Sequence, residues 1–145
     1  MRTLITICTI IIAYHFSGCA VYNKYSEKNY DMFFYLGSGY DHEIVKVYFN
    51  GYEFQFEATS DFSTGVVLSN YFQCSNNTIK MISNNTVIDS VNINTCKSLS
   101  LKVQTKESML EKNILASKGK YIIIDQNRVA NKLKVFQSKK SISIE

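Results

Sequence analysis

The sequence predicts an all-β domain, a small antiparallel β-sandwich, and three observations carry that expectation. The first is composition: hydrophobic residues make up 46 % of 145, with ten Tyr, nine Phe, no Pro and no Trp, and β-branched and aromatic types dominate over Ala, which suits pleated half-buried surfaces. The second is one unambiguous hairpin around Asn50-Gly51. The third is spacing, with eight or nine short apolar or alternating runs punctuated by polar turns in residues 31–145, the pattern of a sandwich or small barrel. No run is long enough for a ligand-holding barrel, so the sandwich is preferred. A chain of this length is about one domain.

The N-terminus is not part of that domain. "MRTLITICTIIIAYHFSGCA" has a positive residue at Arg2, an apolar stretch from Leu4 to Ala13 and then small residues, the layout of an export signal. Leu4 to Phe16 is thirteen residues, short of the roughly 20 that span a bilayer. At Phe16-Ser17-Gly18-Cys19 the sequence resembles the lipobox of bacterial lipoprotein precursors, with Phe16 where Leu is commonest. That resemblance covers the first nineteen residues and implies a signal at 1–18, a diacylglyceryl group on Cys19 and a membrane-anchored protein of the cell envelope. The alternative is an ordinary secretory signal cut after Ala20, which releases a free protein. Residues 20 to 30, "AVYNKYSEKNY", are polar and aperiodic. With Cys19 they form a tether (19–30) ahead of the sandwich domain (31–145).

The strands follow in order. Met32 to Gly37, "MFFYLG", opens the domain. His42 to Ala58, "HEIVKVYFNGYEFQFEA", is the hairpin: Asn-Gly supplies the positive φ angles of a type I′ turn, and a two-residue loop fixes the register. Phe49 then faces Tyr52, Val47 faces Phe54 and Val45 faces Phe56 on one side. Ile44, Lys46 and Tyr48 lie opposite Glu57, Gln55 and Glu53 on the other, so one face is core and the other mostly wet. Gly65 to Phe72, Thr78 to Ser83, Val87 to Ile93, Leu99 to Gln104, Tyr121 to Asp125 and Lys132 to Gln137 are further strands, and Ile142 to Ile144 a short last one. Leu99, Leu101 and Val103 alternate against Ser98, Ser100 and Lys102, one face in and one out. Between them, Thr105 to Lys120 carries a capping box at Ser108 and Glu111 and a helix stop at Gly119, which predicts one short helix; a hairpin turning at Lys118-Gly119 is the competing pattern. An immunoglobulin-like or transthyretin-like sandwich with that single helix is the resulting expectation.

Cysteine arithmetic leaves one pair. Cys8 departs with the signal and Cys19 with the anchor or the cut, so Cys74 and Cys96 remain as a candidate disulfide, worth about 3 kcal/mol, or as two buried thiols. A three-residue turn at Asn84 to Thr86 brings the two opposite each other, and a two-residue turn offsets them by one position. "NNT" at Asn76 to Thr78 and Asn84 to Thr86 fits a glycosylation acceptor, but in a bacterial setting each is simply a turn.

No catalytic constellation is visible. After the signal His42 is the one histidine, which gives no support for a His metal cluster or a Ser/His/Asp set. Glu53 and Glu57 project to one side about 13 Å apart, beyond the separation of a glycosidase pair. Asp61, Ser63 and Thr64 form a polar turn without the glycine spacing of a phosphate loop. The expectation is a protein that is not an enzyme and uses neither metal nor cofactor. Residues 97 to 145 hold eleven Lys or Arg against four acids, and 41 to 65 hold five acids against one Lys. Lysines spread along outward strand faces protect edges from aggregation, which is the preferred reading, and a basic end resting on anionic headgroups is the other. Nucleic acid is not expected as a partner. Two functional expectations follow: an envelope lipoprotein that binds or scaffolds a protein or glycan, or a small secreted or anchored inhibitor or immunity protein that blocks a hydrolase with the loop at Ser60 to Gly65.

Overall fold

The computed structural model describes residues 31–60, 67 and 70–141. They form ten strands: β1 Met32–Leu36, β2 Glu43–Phe49, β3 Tyr52–Ala58, β4 Asn70–Ser75, β5 Thr78–Ser83, β6 Thr86–Asn92, β7 Ser98–Gln104, β8 Met109–Leu115, β9 Tyr121–Asn127 and β10 Lys132–Ser138. A six-stranded sheet in the order β10-β9-β1-β4-β5-β6 packs on a four-stranded sheet in the order β3-β2-β7-β8. The domain is a β-sandwich. All pairs are antiparallel except β1 with β9, which run parallel, so the first strand is inserted between late and middle strands of the same sheet.

Two-residue turns with positive φ set most of the registers. Asn50 and Gly51 (φ 50° and 89°) join β2 to β3, Asn76 and Asn77 (49° and 57°) join β4 to β5, and Asn84 and Asn85 (47° and 62°) join β5 to β6. Asn tolerates the left-handed region better than most residues, and such turns match the twist of the strands they connect. The β2–β3 pairing is Phe49 with Tyr52, Val47 with Phe54 and Val45 with Phe56, as the Asn-Gly spacing requires. The turn at Asn84-Asn85 is the two-residue form, with Ser83 opposite Thr86, and a bulge between Met81 and Ile82 shifts the rest of β6 by one. Of the Gly65 to Phe72 run, residues 65, 66, 68 and 69 lie outside the described residues, while Asn70 to Phe72 fall in β4, which continues through Cys74 to Ser75. Ile142 to Ile144 lies outside the described residues.

The helix expected within Thr105 to Lys120 is not formed. Met109–Leu115 is a strand paired to β7, Leu110 opposite Val103, Lys112 opposite Leu101 and Ile114 opposite Leu99. Leu110 and Ile114 are four apart, a spacing that fits one helical face and one strand face alike. Tertiary pairing decides for the strand. Ser108 serves a turn: its amide donates to the Thr105 hydroxyl at 3.1 Å and its carbonyl accepts from the Thr105 amide at 2.8 Å. Only Ala116–Lys118 coils, as one 3₁₀ turn. Lys112 faces inward at the sheet edge, where it reaches across the sandwich to the Val135 carbonyl of β10.

Side chains from both sheets close the core. Phe34 and Phe72 of the large sheet meet Phe49 and Phe54 of the small one. Phe34 and Phe49 have centroids 4.8 Å apart, and Phe72 lies 5.2 Å from both Phe49 and Phe54. All four are at most 2 % exposed, and edge-to-face pairs of this kind add about 1 kcal/mol each beyond burial. Cys74 of β4 is bonded to Cys96, with Cα atoms 5.9 Å apart. The two are not opposite each other in one hairpin: Cys74 pairs with Ile79, and β5 lies between β4 and β6. The bridge instead ties the connection that leaves the large sheet after β6 to the middle of that sheet, before the chain enters β7 of the other.

Candidate functional site: the outer face of the six-stranded sheet

The two solvent faces of the sandwich differ in chemistry. On the four-stranded sheet the outward positions are mixed and carry ion pairs: Lys46 pairs with Glu53 at 3.2 Å, Lys102 pairs with Glu111 at 3.4 Å, and the Lys102 ammonium sits 5.4 Å from the Tyr48 ring centroid, with Ile44 and Met109 exposed among them. Exposed pairs like these are worth about 0–1 kcal/mol and chiefly keep a surface wet.

The six-stranded sheet differs by gathering aromatic side chains into one strip. β1, β4, β9 and β10 place Phe33, Tyr35, Tyr71, Tyr121, Ile123 and Phe136 outward, because Phe34, Phe72, Ile122 and Ile124 take the alternate, buried positions. Register assembles them into two cross-strand rows, Tyr121-Phe33 in one and Phe136-Ile123-Tyr35-Tyr71 in the next. Phe33 and Tyr121 lie 5.7 Å apart with planes 12° from parallel, and Tyr35 and Tyr71 5.7 Å apart at 23°. Burial, and then the neighbouring phenols of Tyr71 and Tyr121, push the Tyr35 hydroxyl above its ordinary pKa. It stays protonated at any physiological pH, a hydrogen-bond donor on an apolar strip. Phe136, on edge strand β10, is 54 % exposed.

At one end this strip runs into a polar bay lined by Ser38, Asp125, Asn127, Arg128, Lys134 and the Phe136 ring. Asp125 Oδ1 accepts from the Ser38 amide at 3.0 Å, an approach that a side chain at Gly37 would block. Arg128 donates to the Gly39 carbonyl at 2.6 Å and pairs with Asp41 at 3.4 Å. Beneath the bay Tyr40 is buried and donates its hydroxyl to the Ile124 carbonyl at 2.9 Å. Burial, then the nearby Asp125 and Glu43 carboxylates, drive its pKa far upward.

The candidate residues read from the sequence do not converge here. Cys19, the Asp61, Ser63 and Thr64 turn, and all of the Ser60 to Gly65 loop except Ser60, lie outside the described residues. Ser60 is locked between its neighbours, its hydroxyl donating to the Gly37 carbonyl and accepting from the Tyr40 amide. Glu53 is held by Tyr48 and Lys46, which together lower its pKa. Glu57 pairs with the exposed His42 at 2.9 Å. These acids sit with separate partners on the wet face, an arrangement that supplies surface charge. Among the described residues no group of three or more His, Cys, Asp or Glu is placed to hold a metal ion, and no helix is long and apolar enough to cross a membrane.

The aromatic strip was not legible as a surface. "MFFYL" and "YIII" are apolar at consecutive positions, so alternation gives no contrast between faces, and such runs read as strands buried on both sides. What the strip offers is non-covalent contact: large rigid apolar area with phenol donors at low conformational cost. No protein-family model matches the chain, and neither a curated protein nor a solved structure matches it.

Proposed function

We propose that this chain is a non-enzymatic, lipid-anchored binding module of a bacterial cell envelope, fixed through Cys19 and presenting the outer face of its six-stranded sheet to a protein partner. The anchored reading is supported by "FSGC" behind a short apolar segment. Two or three acyl chains on one Cys, at about 0.8 kcal/mol per buried methylene, make a lasting anchor. The observation that carries the binding reading is the aromatic strip. A sandwich needs only its inner faces for stability, and a contiguous outward aromatic patch on one sheet, where the outer face of the other is laced with ion pairs, supports an interaction surface there. A protein suits it better than a glycan. Rings paired with near-parallel planes spend their faces on one another, whereas sugar stacking needs those faces open.

The test is capture from envelope extract by the wild type and by Phe136→Glu, alongside intact mass and detergent phase partitioning of wild type and Cys19→Ala. The proposal expects a protein retained by wild type and lost with Phe136→Glu, and acyl mass on wild type alone. A stoichiometric hydrolase as sole partner would favour the inhibitor reading, capture of a glycan would replace the protein partner, and hydrolytic turnover by the pure protein would end both non-enzymatic readings.

A further inference from the structure

The register fixes which turns share an end of the sandwich. β1 and β9 begin at the same end, because Phe33 pairs with Tyr121 in parallel. β10 and β4 end there, and β7 begins and β8 ends there. That end therefore collects the turns 76–77, 93–97, 116–120 and 138–141, together with the point where the chain enters β1. It also collects lysines: Lys97 before β7, Lys118 and Lys120 before β9, and Lys139 and Lys140 after β10, all exposed. Lys118, Lys120, Lys139 and Lys140 make no ion pair among the described residues. Their two turns are packed together, since Gly119 abuts the Ser138 carbonyl and the Gln137 amide donates to the Leu115 and Gly119 carbonyls at 2.7 and 2.8 Å. Among the described residues the acids at this end are Asp31, just before β1, and Glu53, already held by Tyr48 and Lys46. At the opposite end Arg128 pairs with Asp41, His42 contacts Glu57, and Lys106 and Lys132 lie at turns there with Glu107 and Asp125 nearby.

The chain enters beside these lysines: the Phe33 amide donates to the Lys120 carbonyl at 2.8 Å. Asp31 lies twelve positions after Cys19, so an anchor at Cys19 lies within about 43 Å of this end even if fully extended. We infer that the basic end formed by Lys118, Lys120, Lys139 and Lys140 is a contact surface for an anionic lipid bilayer, which orients the sandwich over the membrane that holds its anchor. The inference rests on the anchored reading for that orientation. Its physics is the attraction of juxtamembrane lysines to a negative surface, which fades within a Debye length of about 10 Å. A tether on the same end lets the lysines come within that range, and their attraction to the surface holds them there. It replaces edge protection as the role of these four, because they occupy turns and not strand edges.

Vesicle co-flotation of the full chain carrying Cys19→Ala, unacylated by design, separates this inference from the anchor itself. Phosphatidylcholine vesicles with and without phosphatidylglycerol are compared for that protein, for the same protein with Lys118→Gln, Lys120→Gln, Lys139→Gln and Lys140→Gln, and for a control with Lys106→Gln, Lys132→Gln and Lys134→Gln. The N-terminal apolar segment is common to all three, so its own affinity cancels. The expected result is a preference for anionic vesicles that falls about tenfold or more in the entry-end variant, fades with salt, and stays within about threefold in the control. Equal losses in both variants, or no preference for anionic vesicles, would overturn the inference. So would lysine-dependent retention on an acidic polysaccharide without vesicle binding, which would assign the lysines to a polymer. Absence of acyl mass on wild type would instead overturn the anchor and leave the vesicle result standing.

Discussion

Reducing the Cys74–Cys96 bridge should cost this protein about a third or more of an ordinary domain's stability. The bonded residues are 22 apart. The loop-entropy relation for a closed loop of that size gives about 3.4 kcal/mol at 25 °C, acting through the unfolded chain. In the folded state the loop encloses β5, β6 and both Asn-Asn turns, and the bridge fixes where the chain leaves one sheet for the other. The measurement is urea unfolding followed by far-UV circular dichroism at pH 7, with and without a phosphine reductant. Reduction of wild type isolates the cross-link, because both sulphur atoms remain in their buried sites. With a slope of about 1.5 kcal/mol/M, the midpoint should fall by about 2 M, and the slope itself should rise as the unfolded chain expands. Cys74→Ala with Cys96→Ala should lie at or slightly below the reduced wild type and should not respond to reductant. A reduced wild type within about 1 kcal/mol of the oxidised form would refute the reasoning.

Further outcomes follow from packing and titration. Phe49→Ala removes the ring that packs against Phe54 of its own sheet and against Phe34 and Phe72 of the other and should cost about 3–5 kcal/mol in the same assay. Tyr40→Phe should cost about 1 kcal/mol at pH 7, at the low end because the Ile124 carbonyl keeps the Gly37 amide as a second donor. The Tyr40 pKa is raised in the fold, so above pH 10 the unfolded chain loses this proton first. The stability tied to it is present below the ordinary tyrosine pKa and drains away as pH rises, and Tyr40→Phe should show a shallower alkaline decline in a pH series of melting curves. Phe136→Glu on the exposed edge strand should change stability by no more than about 0.5 kcal/mol while abolishing partner capture, which separates the outer strip from the core. Lys112→Met, at the inward edge position facing Val135, should be neutral or stabilising within about 1 kcal/mol by chemical denaturation, since its 3.5 Å contact is long.

Much of the fold was legible because local chemistry and pattern agreed. Asn50-Gly51 dictates the β2–β3 register, and Leu99, Leu101 and Val103 alternate into the core with 0–1 % exposure. The β8 segment misled because Leu110 and Ile114 satisfy both periods and because an inward Lys112 is tolerable only at a sheet edge. The candidate surface was hidden for a different reason. In β1 and in Tyr121 to Ile124 of β9 every position is apolar, so the sequence marks no outside there, and only register shows that Phe33, Tyr35, Tyr71 and Tyr121 form one strip.

By itself, then, the sequence determined much of what the short segments do: which residues turn and which alternate. These are properties of neighbours along the chain, where turn chemistry and a period of two leave little choice. The tertiary structure alone decided which face of an all-apolar strand meets the second sheet, that β1 slots parallel to β9, that Cys74 reaches Cys96 across an intervening strand, and that lysines from two distant turns meet where the chain enters. Each of those depends on pairing between segments far apart in sequence, where burial of a shared core, and not local preference, selects the arrangement.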